Sequence, residues 1–445
     1  MDLIKTFIFI VFNRAVSLLI LIYGVASLGG IARADRSQLL TLAQALALTL
    51  QKSPELDGVS WDIRAAEARI LQAGLRPNPE LMLESEDITG TGSYKRGDQV
   101  QNTLQLTQLV ELGGKRQARV RISQSEWQLA SWDYQIKRIE VLKQTTVAFI
   151  DVLTAQSRVD LAEEIVGLAQ KVVSITQKQV EVGKISDIEV TRSSVAAAGA
   201  RVDLEQAKQD LLVARGYLAA QWGTVVPDFT SVTGDLERIR PHPELGTLMG
   251  RLERNPQLAR WTTERERRRA VLASAQAEGR PDVRLGAGPR LISKGDDVTL
   301  VATVSVPLPL FNRNQGRIAE TQANLSKVTN EQRAAETRAY AQLNEQYQTL
   351  VRALEQLRIL ERDVLPGANT AVARILEGYN VGRYSQLDVL EARRTLNDAR
   401  AQRLRVLADY QKASANIDAL TASPIDLSCL NTNSKPGRHS HPTHN

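Results

Sequence analysis

Two short stretches constrain the fold more than anything else in the sequence. They are Val180-Glu-Val-Gly-Lys-Ile-Ser-Asp-Ile-Glu-Val190 and Tyr379-Asn-Val-Gly-Arg-Tyr-Ser-Gln-Leu-Asp-Val-Leu-Glu-Ala-Arg393. Each reads as a helix that stops, a tight turn, and a helix that starts. Gly183 and Gly382, each followed by a cation (Lys184, Arg383), are helix C-termini, because glycine enters the left-handed region without a Cβ penalty. Ser186 and Glu189 have the S-x-x-E spacing of a capping box, and Ser385 with Asp388 gives a weaker version of it. The two glycines are 199 residues apart, which predicts a duplicated chain with one tight helical hairpin in each half.

The arms of the hairpins are long. A helix is expected from Lys115 to Val182, with Leu161, Ile165, Leu168, Val172, Ile175, Gln179 and Val182 stepping by 4 and 3 as a heptad seam. Leu343, Tyr347, Leu350, Leu354, Leu357, Glu361 and Val364 repeat the stepping in the second half. The return helices carry Val190, Ala197, Leu204, Leu211 and Leu218, then Val389, Leu396, Val406, Tyr410, Ala413 and Ile417, with Arg403 intruding on the seam. Aromatic residues are only 4% of the chain, which fits long packed helices better than an enzyme core.

Ahead of each hairpin lie two segments of strict alternation. Leu81 and Leu83 alternate with Glu80, Met82 and Glu84; Leu104 and Leu106 alternate with Thr103, Gln105 and Thr107. In the second half Val298, Leu300, Ala302, Val304, Val306 and Leu308 share one face, opposite Thr299, Thr303 and Ser305. Period-two alternation over about ten residues suits a membrane β-barrel strand, and equally a half-buried strand of a soluble sheet. Four strands cannot close a barrel, so a barrel requires several copies of the chain.

These elements divide the chain into 35–235 and 236–422. Strands are expected near 79–88, 99–110, 281–292 and 297–308, and hairpins over 113–222 and 313–421. Shorter helices broken at Ser53-Pro54 and Asn255-Pro256 precede the strands, and a turn-rich linker, Gly223 to Pro243, joins the halves. Residues 1–34 resemble a secretory signal ending in Ala32-Arg33-Ala34, with an uncleaved anchor as the alternative. Residues 423–445 form a polar tail with no periodicity.

The net charge of +6 would suit nucleic acid in a cytosolic protein, but the export signal argues against that partner. One cysteine, Cys429, allows no internal disulfide and no cysteine-based metal cluster. Gly113-Gly-Lys-Arg116 lacks the upstream glycine and the Ser/Thr of a phosphate-binding loop, no histidine lies near a nucleophile, and no cofactor is expected. In the tail His439, His441 and His444 could hold zinc, copper or nickel, although a floppy hydrophilic end explains them as well. At the hairpins Asp187, Glu189, Asp388 and Glu391 stand at helix N-termini, where the dipole favours carboxylates without any function. In a ring of copies they would also gather at one end of a tube, where their summed field could hold or pass cations.

Export signal, duplicated halves and paired Val-Gly hairpins together resemble the TolC family of outer-membrane efflux ducts. The likeness runs from about Leu40 to Ala422 and is most specific at Tyr379-Asn-Val-Gly382 and Asp388-Val-Leu-Glu-Ala-Arg393. Gly74-Leu-Arg-Pro-Asn-Pro-Glu-Leu81 and Gln108-Leu-Val-Glu-Leu-Gly-Gly-Lys-Arg116 look like the CzcC-like, heavy-metal branch. The resemblance implies a mainly α, non-enzymatic homotrimer in the outer membrane of a Gram-negative bacterium, with a twelve-stranded β-barrel opening into a periplasmic α-barrel of coiled-coil hairpins. It implies a periplasmic adaptor and an inner-membrane RND-type pump as partners, and heavy-metal cations as cargo. By motif position Tyr379, Asp388, Glu391 and Glu189 match the tip constriction, and Tyr384 stands where some members carry a latch arginine, with Arg383 one residue earlier. The alternatives are the same duct serving organic drugs or type I protein secretion, and a soluble periplasmic coiled-coil scaffold.

Overall fold

A computed structural model of the chain describes residues 39–97 and 99–423. The expected export segment and the three tail histidines lie outside the described residues. A short strand β1 (Leu39–Thr41) leads into α1 (Leu42–Lys52), whose N-cap Thr41 forms a capping box with Gln44. Pro54 opens α2 (Pro54–Gly74) at a position whose missing N–H would be unsatisfied anyway. Strands β2 (Glu80–Glu86) and β3 (Gln101–Val110) follow, then α3 (Lys115–Glu181) and α4 (Ile188–Ala220). The second half repeats the order after β4 (Ser231–Thr233), with α5 (Leu245–Leu252), α6 (Pro256–Glu278), β5 (Val283–Ile292), β6 (Asp297–Ser305), α7 (Gln315–Ile359), α8 (Leu365–Asn380) and α9 (Gln386–Leu420).

The four longer strands form one antiparallel sheet in the order β2-β3-β5-β6, and it is built inside out. On one face Glu80, Met82 and Glu84 pair in register with Thr107, Gln105 and Thr103, and on the other Leu81 and Leu83 pair with Leu106 and Leu104. The polar row is the covered one: Thr103, Gln105 and Thr107 are buried, whereas Leu104 is 42% and Leu300 80% exposed. A soluble sheet buries its leucines, so this polarity suits lipid outside and a polar lumen inside. Two glycines on β5 allow its neighbours to approach closely. A Cβ at Gly288 would come within 1.9 Å of the Leu104 carbonyl oxygen, and one at Gly286 within 2.6 Å of Thr303 Oγ1. Across Gly286, Gln105 Nε2 donates to Thr303 Oγ1 at 2.7 Å. Arg284 pairs with Glu80, and Arg290 reaches Glu86 at 2.8 Å, so each cation on β5 crosses β3 to an acid on β2.

The hairpins form a wall of helices. At 67 residues α3 is about 100 Å long at about 1.5 Å per residue. It packs against α4 on one side and α9 on the other, and α9 packs against α7 and α8. Between α7 and α8 the helix widens into a π-turn over Leu360–Val364, with Pro366 just beyond it. One extra residue per turn there breaks the heptad stepping expected to continue through Glu361 and Val364.

Two apolar clusters thicken the middle of the wall. One joins Leu42, Leu46, Phe149, Leu153, Trp222 and Phe229; the other joins Leu248, Leu252, Leu343, Leu357, Tyr410 and Ile417. The linker between halves is therefore a packed layer. Strand β4 pairs in parallel with β1, and Gln156 clamps its edge by donating to the Val232 carbonyl (3.1 Å) and accepting from the Val232 N–H (2.8 Å). Further along, Gln411 donates to the carbonyls of Leu236 and Arg238, Tyr410 donates to that of Arg240, and Asp418 binds the Arg240 guanidinium through both oxygens at 2.9 Å. Arg403 bridges Glu237 in the linker (2.7 Å) and Glu361 in the π-turn (2.9 Å), which accounts for a cation in an otherwise apolar seam.

Candidate functional site

Both hairpin tips close by the same backbone bonds. In the first, the Lys184 N–H donates to the Gln179 carbonyl (2.9 Å) and Gly183 to Val180 (2.8 Å); in the second, Arg383 donates to Gly378 (2.8 Å) and Gly382 to Tyr379 (3.1 Å). These are Schellman closures, and they need φ of +71° at Gly183 and +78° at Gly382.

The helices that leave the tips start differently, in the reverse of the expected order. Ser385 and Asp388 form the full capping box: Ser385 Oγ accepts from the Asp388 N–H, and Asp388 Oδ2 accepts from the Ser385 N–H (2.8 Å) and hydroxyl (2.7 Å). Those bonds hold the Asp388 carboxyl below the usual carboxylate range. Ser186 and Glu189 form none. The N-cap there is Asp187, with helical backbone angles and no side-chain cap; Ser186 Oγ instead donates to Asp187 Oδ1 (3.2 Å) and Glu189 pairs with Arg192 (2.8 Å). A residue already in the helical well cannot present its side chain to the N2 and N3 N–H groups, so the S-x-x-E spacing is idle.

The two tips are tied together by Tyr379, which the motif singled out, and by two glutamines, which it did not. Tyr379 donates its hydroxyl to Gln179 Oε1 at 2.8 Å. Burial and the nearby Glu189 carboxylate push the Tyr379 phenol above its usual range, so it stays a donor. Buried Gln386 reaches from α9 to Thr176 Oγ1 (3.2 Å) and the Glu189 carbonyl (3.4 Å). The visible signal for Gln179 was a polar residue on the α3 seam; for Gln386 there was none. Tyr384, at the latch position in the turn, packs back onto α8: a Cβ at Gly378 would meet its ring at 2.4 Å. The Glu391 and Asp187 side chains are exposed beside this cluster, as are Lys184 and Arg383. So Tyr379, Glu189 and Gln179 converge, whereas Asp388 is engaged in its cap and Glu391 is exposed. Among the described residues no group of three His, Cys, Asp or Glu side chains could hold a metal ion, and no helix is long and apolar enough to cross a membrane.

Comparison with known proteins adds the deciding observation. The profile of the outer membrane efflux protein family matches residues 45–224 and 250–423, one stretch in each half. The chain belongs to the outer membrane efflux protein family. It is 32% identical over 386 residues to the cobalt-zinc-cadmium resistance protein CzcC of Cupriavidus metallidurans, covering 86% of this chain and 90% of that protein. The nickel and cobalt resistance protein CnrC of the same organism is 27% identical over 309 residues, covering 68% and 72%. In fold the chain is similar to CusC (TM-score 0.72, 14% identity, 86% and 92% covered) and to the outer membrane protein VceC of Vibrio cholerae (0.69, 17%, 86% and 97%). The sheet is thus one chain's share of an outer-membrane β-barrel, and the helical wall lies in the periplasm as part of an efflux channel. Its tips are the end of that wall remote from the strands.

Proposed function

We propose that three copies of this outer membrane efflux protein form a conduit for heavy-metal cations delivered by an inner-membrane pump through a periplasmic adaptor. The observation that carries the cargo is the likeness to a cobalt-zinc-cadmium resistance protein along nearly the whole of both chains. The trimer is supported by what one chain leaves open. β2 and β6 are the free edges of the sheet, and Val195, Val202, Val213 and Tyr217 stand exposed along α4. A strand edge and an apolar helix face both call for a partner, and a second copy supplies the matching ones. Energy comes from the pump, since this chain's own residues supply only a path.

At the tips Tyr379, Glu189 and Gln179 hold the hairpins together, Asp388 and Glu391 give the mouth its negative field, and Val182, Val381 and Leu387 offer the adaptor apolar contacts. Deleting the gene should raise sensitivity to cobalt, zinc or cadmium, and the intact gene should restore tolerance. Unchanged metal tolerance with raised sensitivity to organic drugs would replace the cargo and leave the duct standing.

A further inference from the structure

The outward apolar band does not stop where β6 stops. Val298, Leu300, Ala302 and Val304 on β6 are continued in the same alternation by Val306 and Leu308. Ten residues at about 3.3 Å each, tilted by about 40°, climb about 25 Å, the height of the apolar band of an outer-membrane barrel. The next residues, Pro309 to Arg313, therefore come level with the phospholipid headgroups of the periplasmic leaflet. They are not a water-facing loop in character. Leu308 is 75%, Leu310 65% and Phe311 90% exposed, three bare apolar side chains within four residues.

Cations stand beside them. A cleft of about 720 Å³ is lined by Lys115, Arg280, Leu308 and Phe311 together. Most charges of this rim are paired: Lys115 with Asp282 (2.7 Å), Arg317 with Glu278 (3.7 Å) and Arg119 with Glu111. Arg280 and Arg313 have no acidic partner among the described residues. The stem of Arg280 lies over Gly113, where a Cβ would come within 2.7 Å of its Cδ, and the Arg313 carbonyl abuts Gly279, which brings the backbone of Arg313 beside the residue that precedes Arg280. Arg313 donates Nε to the Pro309 carbonyl (3.2 Å), leaving the rest of its fork open.

We propose that this rim is a phospholipid site. The phosphate of an anionic lipid of the periplasmic leaflet sits between Arg280 and Arg313, with an acyl chain along Leu308, Leu310 and Phe311. Lipid is the occupant because the patch continues the lipid-facing band, and because its apolar side chains match an acyl chain while the cations beside it match an anionic headgroup. The proposal rests on the sheet lying in the membrane, so its test carries a control for that reading.

The full chain, assembled in nanodiscs, would carry a fluorophore at Phe311→Cys or, as the control, at Leu300→Cys, both in a Cys429→Ser background. The label at position 311 should be quenched by phosphatidylglycerol spin-labelled near the headgroup more strongly than by phosphatidylcholine labelled at the same carbon. Arg280→Ala and Arg313→Ala should each lower that preference by about fivefold, the effect of one surface cation on an anionic lipid. Quenching at 300 but not at 311 would overturn the lipid site and leave the membrane reading intact. Quenching at neither would overturn both. A label at 311 that crosslinks to a second copy and stays dark to lipid would mean that the neighbouring chain covers the patch, which also overturns the proposal.

Discussion

The tips show how little a motif decides without its backbone. Ser186 and Ser385 occupy equivalent places, yet only Ser385 is the N-cap of its helix, with extended angles (φ −80°, ψ 165°) that let its hydroxyl turn toward the new helix; at the first tip the N-cap is Asp187. Replacing Ser385 with alanine should therefore cost the first turn of α9 about 1 kcal/mol, whereas Ser186→Ala should change α4 by no more than about 0.5 kcal/mol. Hydrogen exchange at the two helix starts compares them directly, and equal losses would contradict the asymmetry. Gly382→Ala has open space for its methyl group, so its expected cost, about 1–2 kcal/mol, is conformational alone. Asn is the substitute best tolerated there, since its side chain suits the left-handed region. Charge at the mouth is tested differently. Glu391→Gln should weaken block of the channel by divalent cations in planar bilayers while leaving the tip folded, because the Glu391 side chain is exposed. Asp388→Asn loses part of the cap as well. Conductance and block identical to the parent in Glu391→Gln would remove the carboxylate from the gate.

At the scale of elements, the hairpins were legible in the sequence and the layer around them was not. Heptad stepping and the glycines that close the two hairpins reveal α3, α4, α7 and α9, because those signals are local. The linker shows only turns and prolines. Its order comes from side chains more than 160 residues away, Tyr410, Gln411, Ser414 and Asp418, which lie on one face of α9 and grip its carbonyls and cations. The π-turn was hidden for the same reason: Glu361 reads as one more heptad position until Arg403 is seen bound to it. Two predictions belong here. Arg403→Met keeps the stem and loses both ion pairs, so exchange protection should drop at Leu360–Val364 and at Glu237 together, and loss at one alone would break the proposed coupling.

The second prediction concerns His242, which accepts or donates at Ser414 Oγ (2.8 Å) and lies edge-on to Tyr410. Burial, helped by the Arg240 guanidinium, pushes its pKa down to about 4. An unfolded histidine takes a proton near pH 6.5, so the folded protein should be steadiest above that pH and lose stability as pH falls from about 6.5 toward 4. Asp418, paired with Arg240, is a charged group on the facing helix. His242→Phe should flatten this part of the pH dependence of thermal unfolding, and an unchanged slope would assign it to other groups.

For the molecule as a whole, the sign of the sheet is the most informative property. Alternation alone fitted a soluble sheet as well as a barrel; the burial of Thr103 and Gln105 and the exposure of Leu300 separate the two. Leu300→Arg, a change at a position 80% exposed, would be harmless in water but should cost about 2–4 kcal/mol near the bilayer midplane, with Thr299→Arg on the opposite face tolerated. Assembly yield and urea midpoints in lipid vesicles measure both.

The unequal arms of the duplicated chain have a wider consequence. Six hairpins surround the proposed tube, but they are three of an unbroken kind, with a single 67-residue helix, and three of a jointed kind, with a π-turn and a proline. A ring of six identical chains would meet every mutation six times over, with no unaltered position to absorb it. Here one mutation alters alternate struts only, so stiffness can be selected in one set and compliance in the other. Duplication within a single gene gives such a tube two materials to evolve with.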